Sequence, residues 1–191
     1  MNILKKKIIL ASQSPRRRQL LEQAGFTFEV KAIPIDESFP PDMPVDEVAP
    51  YLAQRKAHAA RELITGDEVL LTADSVVILG DSIYNKPEDV EDARRILRAL
   101  SGQVHRVITG VCLLSGDKER VFAGESRVHF AELTEEEIDY YIRTCQPFDK
   151  AGAYAIQEWI GLCKIDRIEG TYANIMGLPV DLVYREMGNF V

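Results

Sequence analysis

The sequence is short of cysteines, of basic residues and of long apolar runs, and each shortage excludes a class of protein. Its three cysteines are odd in number and far apart, which argues against a disulfide framework or a thiolate zinc site and favours a reducing compartment. Acidic residues outnumber basic ones by 30 to 23, a net charge of −7 that disfavours generic binding to a nucleic-acid backbone. No apolar run approaches the ~20 residues of a membrane span. We therefore expect a cytoplasmic protein with no nucleic-acid and no membrane partner.

Several common catalytic and nucleotide-binding motifs are also missing. The chain contains no GxxxxGK[ST], no GxGxxG and no GxSxG segment, which excludes the simplest P-loop, Rossmann and α/β-hydrolase interpretations. The three histidines, His58, His105 and His129, do not have the spacing of metal ligands. A nucleotide or metal site would have to be built from other residues.

The chain contains enough apolar residues to build a hydrophobic core. It has 191 residues, 46% of them apolar and 28% charged, which fits one ordinary domain or two small lobes. Apolar patterning and turn residues predict mixed strands and helices, so the expected class is α/β or mixed α+β with a mixed sheet. The predicted strands cover residues 8–11, 26–33, 69–79 (interrupted at 73–75), 104–114 and 120–130, and a short strand near the end. The predicted helices cover residues 14–25, 46–63, 88–100 and 134–144, and a segment after Pro179, while residues 35–44 and 147–157 are predicted to be loops.

Three arginines occupy the first turn of the second predicted element. Ser14 and Pro15 are suited to start a helix, and Arg16, Arg17 and Arg18 follow them directly. The positive end of the helix dipole repels these side chains, by about 0.3–1 kcal/mol each. The cluster is explained if an anion binds at the helix start, where free N–H groups also point. The alternative is that the arginines extend into water or pair with surface acids.

Asp74 lies within an apolar stretch that otherwise reads as a strand. An unpaired buried carboxylate is unfavourable, so this residue requires a cation, a metal ion or several donors. It is a candidate metal ligand or general base. The alternative is an aspartate that caps a turn or ends the strand.

Two lysines and one glutamate are further candidates. Lys56 in the helix after the proline-rich loop and Lys86 before Pro87 could each bind a phosphate, or could each be an ordinary solvated lysine. Glu37 lies in the proline-rich loop. Together with Asp74 it could hold Mg²⁺ beside a polyphosphate.

The segment at residues 149–157, DKAGAYAIQ, combines small residues with a terminal amide. Small residues allow a ligand or a backbone to approach closely. Gln157 offers a donor and an acceptor that could read the edge of a base. The alternative is a packed corner in which small residues only save space.

In this order and spacing, these segments resemble the Maf family of nucleoside triphosphate pyrophosphatases. The resemblance is carried by residues 10–17, 73–77, 86–87, 100–102, 149–157, 168–172 and 176–179. It implies an elongated mixed α/β fold, similar to the inosine triphosphate pyrophosphatases, in which two lobes of a single domain (residues 1–191) flank a nucleotide cleft. It also implies a homodimer by analogy.

The resemblance further implies a reaction and the residues that perform it. A nucleoside triphosphate would be cut between its α- and β-phosphates to give a monophosphate and pyrophosphate, with a divalent cation (Mg²⁺ or Mn²⁺). Asp74 takes the role of the catalytic carboxylate and, with Glu37, of the metal ligands. The phosphate-binding roles fall on Ser14, Arg16, Arg17, Lys56 and Lys86.

Substrate choice in the family is associated with positions that match Arg16, Ser75 and Gln157. A glutamine in the YAIQ segment resembles the branch that acts on dTTP and UTP, with modified pyrimidine nucleotides as further candidates. The branch acting on 7-methyl-GTP has an acid there. The chain departs from the family at Ser75, where threonine is common, and at Glu158, where glycine is usual. The alternatives are a 7-methyl-GTP pyrophosphatase and a non-catalytic, nucleotide-sensing regulator of cell division and septum formation.

Overall fold

The computed structural model describes residues 2–31 and 37–190. Its helices are α1 (Asn2–Lys5), α2 (Pro15–Gln23), α3 (Val45–Ala59), α4 (Val90–Leu100), α5 (Glu135–Cys145), α6 (Trp159–Cys163), α7 (Tyr172–Met176) and α8 (Val180–Met187). Its strands are β1 (Ile8–Leu10), β2 (Phe28–Val30), β3 (Val69–Leu79), β4 (Ser82–Tyr84), β5 (Val104–Ser115), β6 (Lys118–Phe130) and β7 (Ile165–Glu169). No helix in these residues is long and apolar enough to cross a membrane.

The described strands form one mixed sheet, which confirms the predicted fold class. The strand order is β2-β1-β3-β5-β6-β7, and β4 pairs with β3 outside this path. β1 runs parallel to both β2 and β3, whereas the β3–β4 and β6–β7 pairs are antiparallel. The chain divides into two compact units, the first comprising residues 1–74, 109–124 and 177–191 and the second residues 75–108 and 125–176.

In the first unit, α3 is fixed against the sheet by two close contacts. The helix turns the small and apolar side chains of Val48, Ala49, Leu52, Ala53 and Ala57 inward, all of them buried. Thr72 Oγ1 on β3 donates to the Ala53 carbonyl at 2.6 Å. Gly110 on β5 passes so close to the helix that an added Cβ would lie 2.2 Å from Pro50 N. Only glycine allows this approach, so the position of α3 is set by backbone packing.

The second unit has its own core around α4 and α5. Its buried members include Ile96, Leu97, Leu100, Ile138 and Tyr141. Asp89 caps α4 by accepting from Asp92 N at 2.8 Å. Thr134 and Glu137 form a capping box at the start of α5, and the bounds of this helix agree with the predicted helix over residues 134–144.

The structure differs from the prediction mainly in short elements. The helices α1, α6 and α7, of four or five residues, and the strand β4 are not predicted. The predicted strand over residues 26–33 is observed as β2, and residues 32–36, including the start of the predicted loop, lie outside the described residues. The predicted interruption of β3 at residues 73–75 is wrong, because the strand is continuous over eleven residues.

Candidate active site

Lys56 joins two carboxylates at the sheet face that α3 covers. Its Nζ lies 2.5 Å from Asp74 Oδ1 and 2.7 Å from Glu37 Oε1. The side chains of Lys56 and Asp74 are 12% and 13% exposed, while Glu37 is about half exposed. This contact explains why β3 is uninterrupted, since the ammonium group supplies the charge partner that a poorly solvated carboxylate requires. Because β3 continues to Leu79, Asp74 neither caps a turn nor ends the strand.

Arg17 makes contacts that the sequence did not predict. Its Nε donates to the Gly177 carbonyl at 2.8 Å and its Nη1 to the Ala73 carbonyl at 2.7 Å. The same Nη1 lies 3.4 Å from Ser12 Oγ. The guanidinium therefore connects three separate stretches of chain beside Asp74 and does not extend into water. Whether Arg17 also binds phosphate stays a prediction.

The charge of Arg17 is influenced by its surroundings. Burial lowers the pKa of its guanidinium, the charge of Asp74 opposes this effect, and the charge of Arg16 adds to it. An arginine remains protonated after such a shift. The first turn of α2 therefore concentrates positive charge next to the Asp74 carboxylate, as an anion-binding site requires.

Ser14 occupies the N-cap position of α2, as predicted, but its side chain makes no capping hydrogen bond. Its backbone N–H donates to Ser12 Oγ at 3.2 Å. Arg16 follows in the first turn and is partly buried. The proposed phosphate-binding roles of Ser14 and Arg16 stay predictions.

The two carboxylates that meet at Lys56 suit a hard divalent cation. Carboxylate oxygens are the ligands that Mg²⁺ and Mn²⁺ prefer, and Mg²⁺ is commonly held by one or two of them plus substrate phosphates and water. Within residues 2–31 and 37–190, no group of three or more His, Cys, Asp or Glu side chains could hold a metal ion. Glu37 and Asp74 therefore fit a metal that is completed by the ligand, and not a closed protein cage.

The remaining predicted residues belong to the second unit. Ser75 follows Asp74 on β3 and is partly buried, whereas Lys86 is exposed in the stretch after β4. Gln157 is partly buried at the end of the DKAGAYAIQ segment. Its Oε1 atom is buried and has no hydrogen-bond partner among the described residues. The predicted roles of Lys86 in phosphate binding and of Ser75 and Gln157 in substrate selection stay predictions.

The backbone around Gln157 is held by groups that the sequence analysis missed. The Tyr141 hydroxyl accepts a hydrogen bond from Ala155 N at 3.0 Å and donates one to Glu158 Oε2 at 2.5 Å. The Tyr154 hydroxyl lies 2.7 Å from Nε2 of the buried His105. Nothing in the spacing of these residues reveals the contacts in advance.

The motifs that carry these side chains also match a known family. A family model for the Maf-like protein matches residues 7–190. The chain belongs to the Maf family. The expectation drawn from the sequence motifs is thereby confirmed.

Proteins from several bacteria are similar to this chain over nearly its whole length. The dTTP/UTP pyrophosphatase of Phocaeicola vulgatus is 49% identical over 187 residues, covering 97% of both chains. The proteins of the same name from Porphyromonas gingivalis and Parabacteroides distasonis are 48% and 47% identical, covering 99% of this chain and 96% and 98% of theirs.

Among solved structures, the Staphylococcus aureus Ham1 protein is 15% identical, with a TM-score of 0.48 over 66% of this chain and 72% of that one.

Proposed function

We propose that this Maf-family protein is a pyrophosphatase that hydrolyses dTTP and UTP to the nucleoside monophosphate and pyrophosphate. The observation that carries the proposal is the ammonium of Lys56, 2.5 Å from Asp74 Oδ1 and 2.7 Å from Glu37 Oε1. Two carboxylates and a cation in contact are what the hydrolysis of a highly charged phosphate chain needs. The names of relatives that match almost the whole chain support the same substrates.

Asp74 is proposed as the general base. Its carboxylate accepts the proton of the attacking water, which strikes the α-phosphorus in line with the departing pyrophosphate. A bound Mg²⁺ or Mn²⁺ ion, held by Glu37 and Asp74, would neutralise phosphate charge. Lys56 then exchanges its carboxylate partners for phosphate oxygens.

The other cations are proposed to bind the phosphate chain. On a protein of net charge −7, the positive groups have to be concentrated locally to attract a triphosphate. Arg16 and Arg17 at the start of α2 and Lys86 take this role, and the uncharged Ser14 hydroxyl donates a hydrogen bond to the phosphate chain. Arg17 already donates to two backbone carbonyls, so we assign it the smaller share of phosphate binding.

Gln157 is proposed to select the base, together with Arg16 and Ser75. Its buried Oε1 lacks a partner among the described residues and can accept from the N3–H group of uracil or thymine. Its amide N–H₂ can donate to O4 of the same base. Cytosine presents the reverse order of donor and acceptor on that edge, so we expect CTP to be a poor substrate.

We also propose that residues 1–191 act as one domain, that the protein is a homodimer, and that it works in the cytoplasm. These statements come from the family resemblance. Sedimentation analysis of the purified protein tests the dimer, and a monomer at all concentrations would contradict it.

A pyrophosphate-release screen tests the proposed function. UTP, dTTP, CTP and 7-methyl-GTP are supplied separately, each with and without Mg²⁺. We expect release of intact pyrophosphate from UTP and dTTP in the presence of Mg²⁺. Preference for 7-methyl-GTP would indicate the other branch of the family, and tight UTP binding by calorimetry without any product would indicate a nucleotide sensor.

A further inference from the structure

We infer that Tyr141 and Glu158 form a positioning pair that holds Gln157 in place for base selection. The inference rests on the proposed function, because it assigns the pair to the selectivity of that same site. Tyr141 and Glu158 are positioning residues, since neither is proposed to touch the substrate.

The Tyr141 hydroxyl binds the chain on both sides of Gln157. Tyr141 projects from α5 and is fully buried. Its oxygen accepts from the backbone N–H of Ala155 at 3.0 Å, and its hydrogen is donated to the Glu158 carboxylate at 2.5 Å. One rigid hydroxyl therefore fixes the residue two positions before Gln157 and the residue directly after it.

Three further contacts fix the conformation of the segment around Gln157. The backbone N–H of Glu158 donates to the Ala155 carbonyl at 3.1 Å, which makes a tight turn across Ile156 and Gln157. The Nζ of Lys150 lies 3.5 Å from Glu158 Oε1. At Gly161 an added Cβ would lie 1.8 Å from the Ile156 carbonyl oxygen, so the start of α6 packs directly on this turn.

Tyr141 and Glu158 can hold the segment around Gln157 because the Tyr141 hydroxyl stays protonated. Burial and the hydrogen bond to Glu158 raise the pKa of the Tyr141 hydroxyl. Tyr141 therefore remains a donor to Glu158 at neutral pH. A buried tyrosine hydroxyl with both a donor and an acceptor partner is a rigid anchor for the backbone.

The anchor matters because Gln157 offers an unpaired acceptor. Its Oε1 is buried with no partner among the described residues, an unfavourable state that binding of a donor relieves. Discrimination between bases by one amide depends on its position, since a displaced acceptor pairs equally poorly with every base. Loss of the hydrogen bonds from Tyr141 to the segment around Gln157 should therefore reduce the preference for UTP over CTP more than it reduces turnover.

The test removes only the hydroxyl, with the substitution Tyr141→Phe. The ratio of kcat/KM for UTP to that for CTP is measured, together with hydrogen exchange at the Ala155 amide. We expect the ratio to fall about tenfold, mainly through a raised KM for UTP, and exchange at Ala155 to become faster. Tyr140→Phe is the matched control, because this neighbouring residue is exposed and packs its ring on Trp159. It should change neither measurement.

Substitutions at Glu158 test the other half of the pair. Glu158→Gln retains an oxygen that accepts from Tyr141 and should keep most of the UTP preference, whereas Glu158→Ala should lose it. In a Gln157→Ala background, Tyr141→Phe should lower the ratio no further, since the pair acts through Gln157.

Separate outcomes overturn the inference and the proposed function. If the wild-type protein prefers UTP to CTP but Tyr141→Phe lowers only the melting temperature, the pair is merely structural and the inference is overturned alone. An equal fall of the ratio in the Gln157→Ala background would also overturn it. If the wild-type protein releases pyrophosphate from neither UTP nor dTTP, the proposed function fails, and the selectivity role fails with it.

Discussion

Asp74 on β3 and Lys56 on α3 are joined by a 2.5 Å contact between Oδ1 and Nζ across 18 positions of sequence. The contact is possible because α3 is fixed to β3 by Thr72 and to β5 by the close approach at Gly110. The packing of one helix on the sheet thus sets the distance between the proposed base and its cation.

Asp74→Asn should leave the fold intact and abolish most turnover. The amide keeps the size of the carboxylate but cannot accept the proton of the attacking water, so we expect kcat for UTP to fall by roughly 10²–10⁴-fold. Steady-state kinetics of pyrophosphate release measure this, with Asp81→Asn in the exposed turn after β3 as the control. Full activity in Asp74→Asn would remove this residue from the mechanism.

Lys56→Met should weaken catalysis and strengthen metal binding. Loss of the cation removes a phosphate-binding group, and we expect kcat/KM to fall roughly 100-fold. The two carboxylates then lack their internal counter-charge, so Mg²⁺ should raise the melting temperature more in the variant than in the wild type. The exposed Lys118→Met serves as the control, and an unchanged response to Mg²⁺ would argue against a shared site at Glu37 and Asp74.

Gly110→Ala should destabilise the first unit. The new Cβ would lie 2.2 Å from Pro50 N, which forces α3 away from the sheet, and we expect a loss of at least about 2 kcal/mol in the free energy of unfolding. Gly188→Ala is the control, because a Cβ there meets only Ile3 Cδ1 at 4.0 Å. Denaturant titration of both variants gives the comparison, and equal stabilities would contradict the close packing.

His105 should make the protein less stable in weak acid. Burial lowers the pKa of its imidazole from 6.5 to about 3. Below pH 6.5 the His105 imidazole therefore binds a proton in the unfolded chain but not in the folded chain. As a result, the free energy of unfolding decreases as the pH falls from 6.5 towards 3. Between pH 7.5 and 5 the wild type should lose about 2 kcal/mol more than His105→Gln.

Denaturant titrations at several pH values measure that difference. The Gln side chain can still meet the Tyr154 hydroxyl, so the comparison isolates the proton. Identical pH dependence of the two proteins would show that His105 is readily protonated in the folded state.

Local chemistry was sufficient to predict several elements of the fold. The start of α2 at Ser14 and Pro15 and the start of α5 at Thr134 each depend on residues close in sequence. Short elements such as α6 and α7 have too few residues to show a helical period, so tertiary packing alone reveals them.

Contacts between distant residues could not be predicted in the same way. The interruption expected at residues 73–75 was wrong because the neutralising ammonium of Lys56 is far away in sequence. For the same reason the sequence identified Glu158 only as a departure from the family pattern, whereas the structure provides its partner in Tyr141. The family motifs identified Arg17 as a candidate site residue, but only the structure shows its hydrogen bonds to the carbonyls of Ala73 and Gly177.

The central claim is that water attacks the α-phosphorus, and an isotope-labelling experiment tests it most directly. UTP is hydrolysed in water enriched in ¹⁸O, and the position of the label in the products is read by mass spectrometry. Attack at the α-phosphorus, with Asp74 as the base, predicts one ¹⁸O atom in UMP and none in pyrophosphate. Label in pyrophosphate or in orthophosphate would show that a different phosphorus is attacked and would contradict the account.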